Sequence, residues 1–244
     1  MKAIIVGMGV QGNKRKKFLG EDFIFSVDKF KKADFKSIYI VPLNKFDTAF
    51  VCVPDHEKLK IVNYCIKNKK NVLLEKPFLV KRNKILTDLE KHAQKQKVVC
   101  YTAYNHRFEP SIKKMKNLIK CNKLGKIYKC RIFYGNGTSL LVKKSKWRDK
   151  GLGVLSDIGS HLLDICLFWF GEKINLLKIV EINKFENRAP DQAIITLEIN
   201  KIKIELEMTL CMWKNSFTCD VIASRGSAHL NSLCKWSTSN FCFR

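Results

Sequence analysis

The amino terminus places three glycines directly after an unbroken apolar run. The run, Ala3 to Val6, reads AIIV, and Gly7, Gly9 and Gly12 follow in the spacing G-x-G-x-x-G. A strand that is apolar on both faces is typical of the interior of a parallel sheet. A glycine turn between such a strand and a helix predicts a βαβ unit that binds a dinucleotide. This feature restricts the first part of the chain to an α/β fold.

Each glycine has its own expected role. Gly7 allows the tight turn, Gly9 lets the backbone approach a pyrophosphate, and Gly12 lets the helix pack on the strand. The backbone N–H groups of Val10 and Gln11, at the start of the helix, are expected to hold the phosphate charge. A glycine turn in an α/β protein that binds no ligand is the alternative interpretation.

Two further residues are expected at the cofactor site because each ends an apolar run. Asp28 ends DFIFSVD, where a carboxylate is expected to accept hydrogen bonds from the adenosine ribose. Because a carboxylate there repels a 2′-phosphate, NAD is expected in preference to NADP. Pro54 ends AFVCVP and is expected to line the same site, since ligands of open α/β sheets bind at the carboxyl ends of the strands.

The run NVLLEKP ends in Glu75, Lys76 and Pro77 at the same edge of the predicted sheet. Glu75 and Lys76 are expected to contact the cofactor. A lysine at the end of a buried strand is costly unless an anion or a proton-transfer step uses it. A solvated strand end is the alternative interpretation.

The pattern of the chain changes after about residue 120. Before it, apolar runs alternate with polar helical stretches, whereas after it apolar and polar residues alternate with period two, as in QAIITLEI and FTCDVIA. Such alternation predicts an antiparallel sheet with one polar face. We expect a dinucleotide-binding Rossmann domain at 1–102. An α+β domain with an open, mainly antiparallel sheet, for substrate binding and oligomerisation, is expected at 103–244.

The apolar face of this second sheet needs a cover. Ile202, Ile204 and Leu206 are predicted to face one way, and they must be covered by their own domain or by a partner. A homo-oligomer, a dimer or a tetramer, is expected to form through this C-terminal sheet.

The segment GVLSDIGSHLLD, residues 153–164, keeps polar side chains within an apolar helical pattern. On a helical wheel Asp157, His161 and Asp164 fall together, opposite a broad apolar face. Asp157 and His161 are four positions apart and can touch. An ion pair on a solvated helix face is one interpretation. A catalytic pair is the other, since the histidine pKa suits proton transfer at neutral pH.

The charge of the chain is strongly positive. Its 244 residues include 46 Lys and Arg against 22 Asp and Glu, which gives a formal charge of +24. Such a charge suits a nucleic-acid binder, but the lysines are spread over every segment without the aromatic side chains that stack on bases. The pattern fits better with a solvated surface that binds no nucleic acid. Binding of a phosphorylated small molecule is the other interpretation.

The cysteines and the apolar runs indicate the cellular compartment in which the protein is expected. Ten cysteines are scattered without a C-x-x-C pair, which predicts reduced thiols in a cytoplasmic protein and no metal site. No apolar run approaches the roughly 18 to 20 residues of a membrane span, and the start of the chain does not read as a secretory signal. No membrane partner is expected.

Three motifs in this order carry a resemblance. G-x-G-x-x-G, then E-K-P, then G-x-G-x-L-x-D-x-G-x-H-x-x-D resembles the Gfo/Idh/MocA family of nicotinamide-dependent oxidoreductases. YNHRFEP (Tyr104 to Pro110) and KWRDKGLGVL (Lys146 to Leu155) are also similar to stretches of that family. The resemblance therefore covers nearly the whole chain.

The resemblance implies roles for individual residues. In the family, the lysine of E-K-P lies beside the nicotinamide and the substrate, which matches Lys76. The aspartate and histidine of D-x-G-x-H reach the reacting carbinol, which matches Asp157 and His161. Asp157 and His161 are also expected to bind substrate. Three residues of the other similar stretches are expected to bind it with them: Tyr104, Arg107 and Arg148.

An NAD-dependent dehydrogenase of a sugar or nucleotide-sugar is the implied function, as in relatives from surface-polysaccharide biosynthesis. A non-catalytic NAD-binding or regulatory protein is one alternative, and a basic nucleic-acid-binding protein is another. The chain departs from the family in Gly151-Leu152-Gly153, where three glycines are usual. The family's sheet also continues beyond GSAHLNSLCKW, so the chain is expected to be short at its C-terminus.

Overall fold

The structure, a computed structural model, describes residues 1–145 and 148–244. Its chain forms two compact units, Met1–Ala103 and Tyr104–Arg244. Lys146 and Trp147, which open the KWRDKGLGVL segment, lie outside the described residues.

The first unit is a parallel sheet with helices between its strands. Its strands are β1 (Ala3–Val6), β2 (Phe23–Val27), β3 (Thr48–Val51), β4 (Asn71–Leu74) and β5 (Cys100–Thr102), its α-helices are α1 (Val10–Leu19), α2 (Asp55–Lys67) and α3 (Asn83–Gln96), and its short 3₁₀ turns are Gly20–Asp22, Ile38–Ile40 and Leu43–Lys45. The strand order is β2-β1-β3-β4-β5, and every pair is parallel.

The direction of winding reverses at β1. All four residues of β1 are buried, and Val6 pairs with Val27 on one side and with Val51 on the other. The chain runs outward from β1 to β2 and then returns to β3 on the opposite side of β1. The carboxyl end of β1 is therefore a topological switch point, which is where ligands bind in sheets of this kind.

The second unit is a mixed seven-stranded sheet with helices on one face. Its strands are β6 (Ile127–Gly137), β7 (Ile174–Asn183), β8 (Gln192–Ile199), β9 (Ile202–Thr209), β10 (Cys211–Ala223), β11 (Gly226–Asn231) and β12 (Asn240–Phe243), its α-helices are α4 (Pro110–Lys120), α5 (Ser139–Lys143) and α6 (Ser160–Phe170), and it has a 3₁₀ turn at Asn105–Phe108 and a π-helical turn at Leu155–Gly159. The strand order is β12-β11-β10-β6-β9-β8-β7, and β6 with β9 is the one parallel pair among these. The predicted fold, an α/β unit followed by a mainly antiparallel α+β unit, is confirmed.

The apolar face of the second sheet is covered within its own unit. Ile204 and Leu206 are at most 2% exposed and belong to one core cluster with Leu162, Ile165 and Trp169 of α6. The sequence left two possible covers for this face, its own domain or a partner, and in the structure its own domain covers it. A homo-oligomer is not needed to bury Ile204 and Leu206, and any such interface must use other residues.

β7 keeps an apolar surface exposed at one end of the strand order. Five of its apolar side chains are between 45% and 61% exposed: Leu176, Leu177, Ile179, Val180 and Ile182. Edge strands of this kind are common sites of association with another chain.

Two further properties bear on the sequence expectations. All ten cysteines have free thiols, and burial raises the pKa of the Cys65 thiol to about 12. Among the described residues, every helix is too short or too polar to cross a bilayer.

Candidate cofactor site and candidate catalytic residues

The glycine loop after β1 has three different environments. Gly7 has φ +98°, and a Cβ there would lie 2.5 Å from the Cys52 carbonyl oxygen. A Cβ on Gly12 would lie 2.0 Å from the Gly7 carbonyl oxygen, so helix α1 packs against the loop at this point. A Cβ on Gly9 would meet no atom of the described residues within 4 Å. The space above Gly9 fits the close approach of a diphosphate, and the tight packing is confined to Gly7 and Gly12.

Side chains hold this loop in shape. The Asn13 Nδ2 group donates to the carbonyl oxygens of Met8 (3.2 Å) and Gly9 (3.0 Å). The Asp28 Oδ2 atom accepts a hydrogen bond from the Met8 N–H at 2.7 Å. Helix α1 begins at Val10, so its first N–H groups lie at the end of a loop that is already formed. Sequence reasoning missed Asn13, because an asparagine in the first turn of a helix has no signal of its own.

Asp28 is fixed by backbone donors on both oxygens. Its Oδ1 atom accepts from the N–H groups of Phe30 (2.9 Å) and Lys31 (2.8 Å). Burial alone would raise the pKa of this carboxyl group, but the hydrogen bonds from the Lys31, Met8 and Phe30 N–H groups outweigh it, and the pKa is lowered. Asp28 therefore stays an anion at neutral pH, which is the state that repels a 2′-phosphate.

The other predicted cofactor residues follow the carboxyl ends of neighbouring strands. Pro54 precedes α2, three residues after β3 ends, and Glu75 and Lys76 directly follow β4. The Glu75 Oε1 atom accepts hydrogen bonds from Arg15 Nε (2.7 Å) and Nη2 (2.6 Å). The parallel sheet thus brings these residues to the same edge as the glycine loop, and Arg15 of α1 fixes the glutamate.

The segment of the second unit that carries Asp157 and His161 differs from the predicted helix. Asp157 lies in the π-helical turn and His161 in the first turn of α6. The regular helical wheel is wrong across this junction, because a π turn adds a residue to its hydrogen-bonded ring. The contact predicted between Asp157 and His161 stays a prediction.

His161 lies among aromatic rings. Its side chain is 7% exposed, and its ring stacks on that of His106 at 4.1 Å between centroids. Tyr104 meets the His161 ring edge-on at 5.8 Å, and His106 stacks on Tyr134 at 5.7 Å. Burial raises the pKa of both tyrosine hydroxyls, so they are neutral donors at physiological pH. Sequence reasoning missed His106 although it lies between two predicted site residues.

The remaining predicted site residues form two separate ion pairs. Arg148 Nη2 lies 3.0 Å from Asp157 Oδ2, and both side chains are about one-third exposed. Arg107 contacts Asp164 in a bidentate pair, with Nε to Oδ2 at 2.8 Å and Nη2 to Oδ1 at 2.7 Å. Asp164 is buried, so this pair fastens the 3₁₀ turn to α6. The two aspartates that the sequence places on one polar face, Asp157 and Asp164, therefore pair with different arginines.

Sequence comparison identifies the family. A profile described as "Oxidoreductase family, NAD-binding Rossmann fold" matches residues 2–104, and one described as "GFO/IDH/MocA C-terminal domain" matches residues 112–229. The chain belongs to the GFO/IDH/MocA oxidoreductase family, and its first unit is an NAD-binding Rossmann domain. The family and the cofactor predicted from the sequence are confirmed.

Individual curated relatives share 28% to 30% sequence identity with the chain over the aligned segments. A myo-inositol 2-dehydrogenase of Thermotoga maritima is 30% identical over 89 residues, which is 35% of this chain and 25% of the relative. The aligned segments span 25% to 43% of the lengths of the curated relatives.

Solved structures share the fold. GenD2 from gentamicin A biosynthesis, in complex with NAD, has a TM-score of 0.83 at 18% identity, over 95% of this chain and 72% of that one. The WlbA dehydrogenase from Bordetella pertussis, in complex with NADH and UDP-GlcNAcA, has a TM-score of 0.82 at 14% identity, over 97% and 81%. At these identities the likeness shows the fold alone.

Proposed function

We propose that this chain is an NAD-dependent dehydrogenase that transfers a hydride between a ring carbinol of a sugar or nucleotide-sugar and the nicotinamide. The observation that carries the proposal is the family's cofactor loop in one unit together with a buried histidine, His161, in the other. The relatives named above support the substrate class, since one is an inositol dehydrogenase and another was crystallised with a nucleotide-sugar.

The first unit supplies the groups that would hold NAD. The N–H groups of Val10 and Gln11 would bind the diphosphate above Gly9, and Asp28 would accept from the ribose hydroxyls. When bound, the nicotinamide supplies the hydride acceptor. Lys76 would donate a hydrogen bond to the carbinol oxygen, which favours loss of its proton.

The second unit supplies the base. We assign the hydroxyl proton to the imidazole of His161, because an imidazole is neutral and basic at physiological pH. Asp157, held by Arg148, would orient the histidine or the substrate. The other proposed substrate contacts are the side chains of Tyr104, Arg107 and Arg148.

Turnover is the test of this function. NADH formation would be followed by absorbance against free sugars, inositols and UDP-sugars, with NAD binding measured separately by calorimetry. NAD binding without turnover on any of these compounds would favour a non-catalytic NAD-binding protein. A large salt-dependent affinity for an oligonucleotide would favour a nucleic-acid-binding protein.

Asp28→Asn should weaken the preference for NAD over NADP. The amide oxygen can still accept from the Phe30 and Lys31 N–H groups, but the acceptor of the Met8 N–H and the negative charge are both lost. Because the charge no longer repels a 2′-phosphate, we expect the ratio of the two Kd values to change by about tenfold, or ~1.4 kcal/mol. Calorimetric titration with each nucleotide measures this ratio. Asp88→Asn, at an exposed position on α3, is the control and should leave it unchanged. An unaltered protein that binds NADP more tightly would show that Asp28 does not have this role.

We propose that β7 forms the contact in a homo-oligomer. Its sequence INLLKIVEIN is symmetric in character about the point between Ile179 and Val180: in two copies paired antiparallel about that point, Lys178 would lie opposite Glu181 and Leu177 opposite Ile182. A two-fold interface requires such self-complementarity. The exposed apolar side chains of β7 would then be buried against the same strand of a second copy.

Replacing the two apolar residues at the proposed two-fold axis of β7 with acidic ones should separate the copies. We expect light scattering at tens of micromolar to give at least twice the 28.3 kDa chain mass for the unaltered protein. The double variant Ile179→Glu, Val180→Glu should give a single chain mass, because like charges then meet at the two-fold axis. Phe18→Glu, at an 86% exposed position on α1, is the control. A monomeric unaltered protein would contradict the proposal.

A further inference from the structure

One buried cation of the first unit is not used by the proposed chemistry. Lys58 lies on α2 and is 2% exposed, although lysine is rarely buried unless its charge is paired. Its Nζ atom donates to Asp55 Oδ1 at 2.6 Å and to the Pro77 carbonyl oxygen at 2.6 Å. Asp55, one turn earlier on the same helix, balances the charge. The second bond reaches a loop 19 residues further along the chain.

The acceptor of that second bond adjoins Lys76. Pro77 directly follows Lys76, and Glu75 directly precedes it. Glu75 is held by Arg15 of α1, at 2.7 Å and 2.6 Å. The segment Glu75-Lys76-Pro77 is thus fixed on both sides of Lys76, by a side-chain ion pair before it and by a hydrogen bond to its backbone after it. The two cations come from different helices, so a shift of the segment toward one helix would break the charge-assisted bond to the other.

We propose that Lys58 is a positioning residue that acts through the Pro77 carbonyl to set the place of Lys76 at the nicotinamide end of the cofactor site. This inference rests on the proposed function, because it assigns Lys76 to the reaction. A misplacement of about 1 Å at a reacting group costs about 100-fold in rate, so a fixed backbone beside Lys76 has a direct catalytic consequence. The bond needs a donor on a long side chain, which explains a lysine at a buried position where a leucine would pack at lower cost.

Three variants separate positioning from packing. Lys58→Met keeps the length and the apolar stem but removes every donor. Lys58→Arg keeps a charged donor for the Pro77 carbonyl. Lys60→Met removes an exposed lysine from the same helix and is the matched control. Each variant is examined for kcat and KM, for the Kd of NADH and of ADP-ribose, and for the nicotinamide fluorescence of bound NADH. ADP-ribose reports on the glycine loop and Asp28 without the nicotinamide end of the site, because it has no nicotinamide.

We expect Lys58→Met to lower kcat by about 10- to 100-fold. Its NADH emission should change while the Kd of ADP-ribose stays within about twofold, because the hydrogen bonds that hold the glycine loop do not involve Lys58. Lys58→Arg should recover most of the loss, and Lys60→Met should show none. If Lys58→Met retains both kcat and NADH emission, or if ADP-ribose binding weakens in step with NADH binding and arginine gives no rescue, Lys58 only supports the fold and the proposal is wrong.

The test is independent of the proposed function in one respect. A chain that oxidises no sugar or nucleotide-sugar removes the proposed function, but the NADH emission and the ADP-ribose Kd of the same variants still report whether Lys58 positions the segment. If Lys58→Met does not fold, the arginine variant decides. Unaltered ADP-ribose affinity with normal emission supports positioning by a retained donor, whereas weakened ADP-ribose affinity contradicts it.

Discussion

His161→Ala should lower turnover by about 10² to 10⁴-fold, which is the usual contribution of a positioned acid–base group. The substitution removes the proposed proton acceptor and leaves the glycine loop and Asp28 unchanged. We therefore expect the Kd of NAD, measured by calorimetry, to stay within about twofold. Steady-state NADH formation on the best substrate of the sugar panel gives the rate.

Loss of a buried ring also creates a cavity beside His106, so a stability effect must be separated from a catalytic one. His161→Gln fills more of the space and has no comparable base, and it should lose turnover to a similar extent. His56→Ala removes an imidazole whose side chain is 75% exposed and should have no effect. If His161→Ala kept nearly full activity, the histidine would be a packing residue and the proposed mechanism would be wrong.

The sequence predicts the cofactor unit well because its signals are local. The apolar run of β1 and the glycine spacing lie within twelve residues, and each glycine role follows from its place in the turn between that strand and the helix. The contacts that hold the site are not local. Arg15 and Glu75 are 60 residues apart, and Lys58 and Pro77 are 19 apart. A basic chain offers many lysines and arginines, so its sequence does not show which of them is buried.

The second unit shows a different limit. Period-two alternation predicts strands and their buried faces, as in Ile204 and Leu206 of β9. It does not determine which strands are neighbours, and the parallel pairing of β6 with β9 needs a connection of about 65 residues that no short-range signal reveals. The π-helical turn is equally hidden, because its extra residue changes the helical phase only where tertiary packing allows it.

The candidate catalytic residues fall between these cases. Asp157 and His161 were found from a four-residue spacing, but their surroundings depend on residues elsewhere in the chain. Arg148 pairs with Asp157 from the preceding loop, and His106 stacks on His161 from a turn 55 positions earlier. A second histidine beside the predicted Tyr104 and Arg107 was the available signal, and a lone histidine is weak evidence for a stacked pair.

Gly12→Ala should abolish useful NAD binding, raising the Kd by at least about 100-fold. Gly12 lies inside α1 without a positive φ, so alanine there gains about 1 kcal/mol of helix propensity. Against this gain, the new Cβ would lie 2.0 Å from the Gly7 carbonyl oxygen, which is backbone and cannot rotate away. Overpacking of this kind typically costs about 1 to 3 kcal/mol, so the clash outweighs the gain. The helix must move away from the loop, and the N–H groups of Val10 and Gln11 move with it.

Gly9→Ala is the matched control because it adds the same methyl group where no described atom lies within 4 Å. Its unfolding free energy should change by less than about 1 kcal/mol, since alanine at a helix N-cap is only modestly unfavourable. NAD binding should still weaken, because the methyl group occupies the space that the diphosphate approaches. Thermal or urea unfolding and NAD calorimetry therefore separate the two glycines: Gly12→Ala loses stability and binding together, and Gly9→Ala loses binding alone. If NAD bound both variants as tightly as the unaltered chain, the loop would not be the diphosphate site, and the roles assigned to Val10 and Gln11 would fail with it.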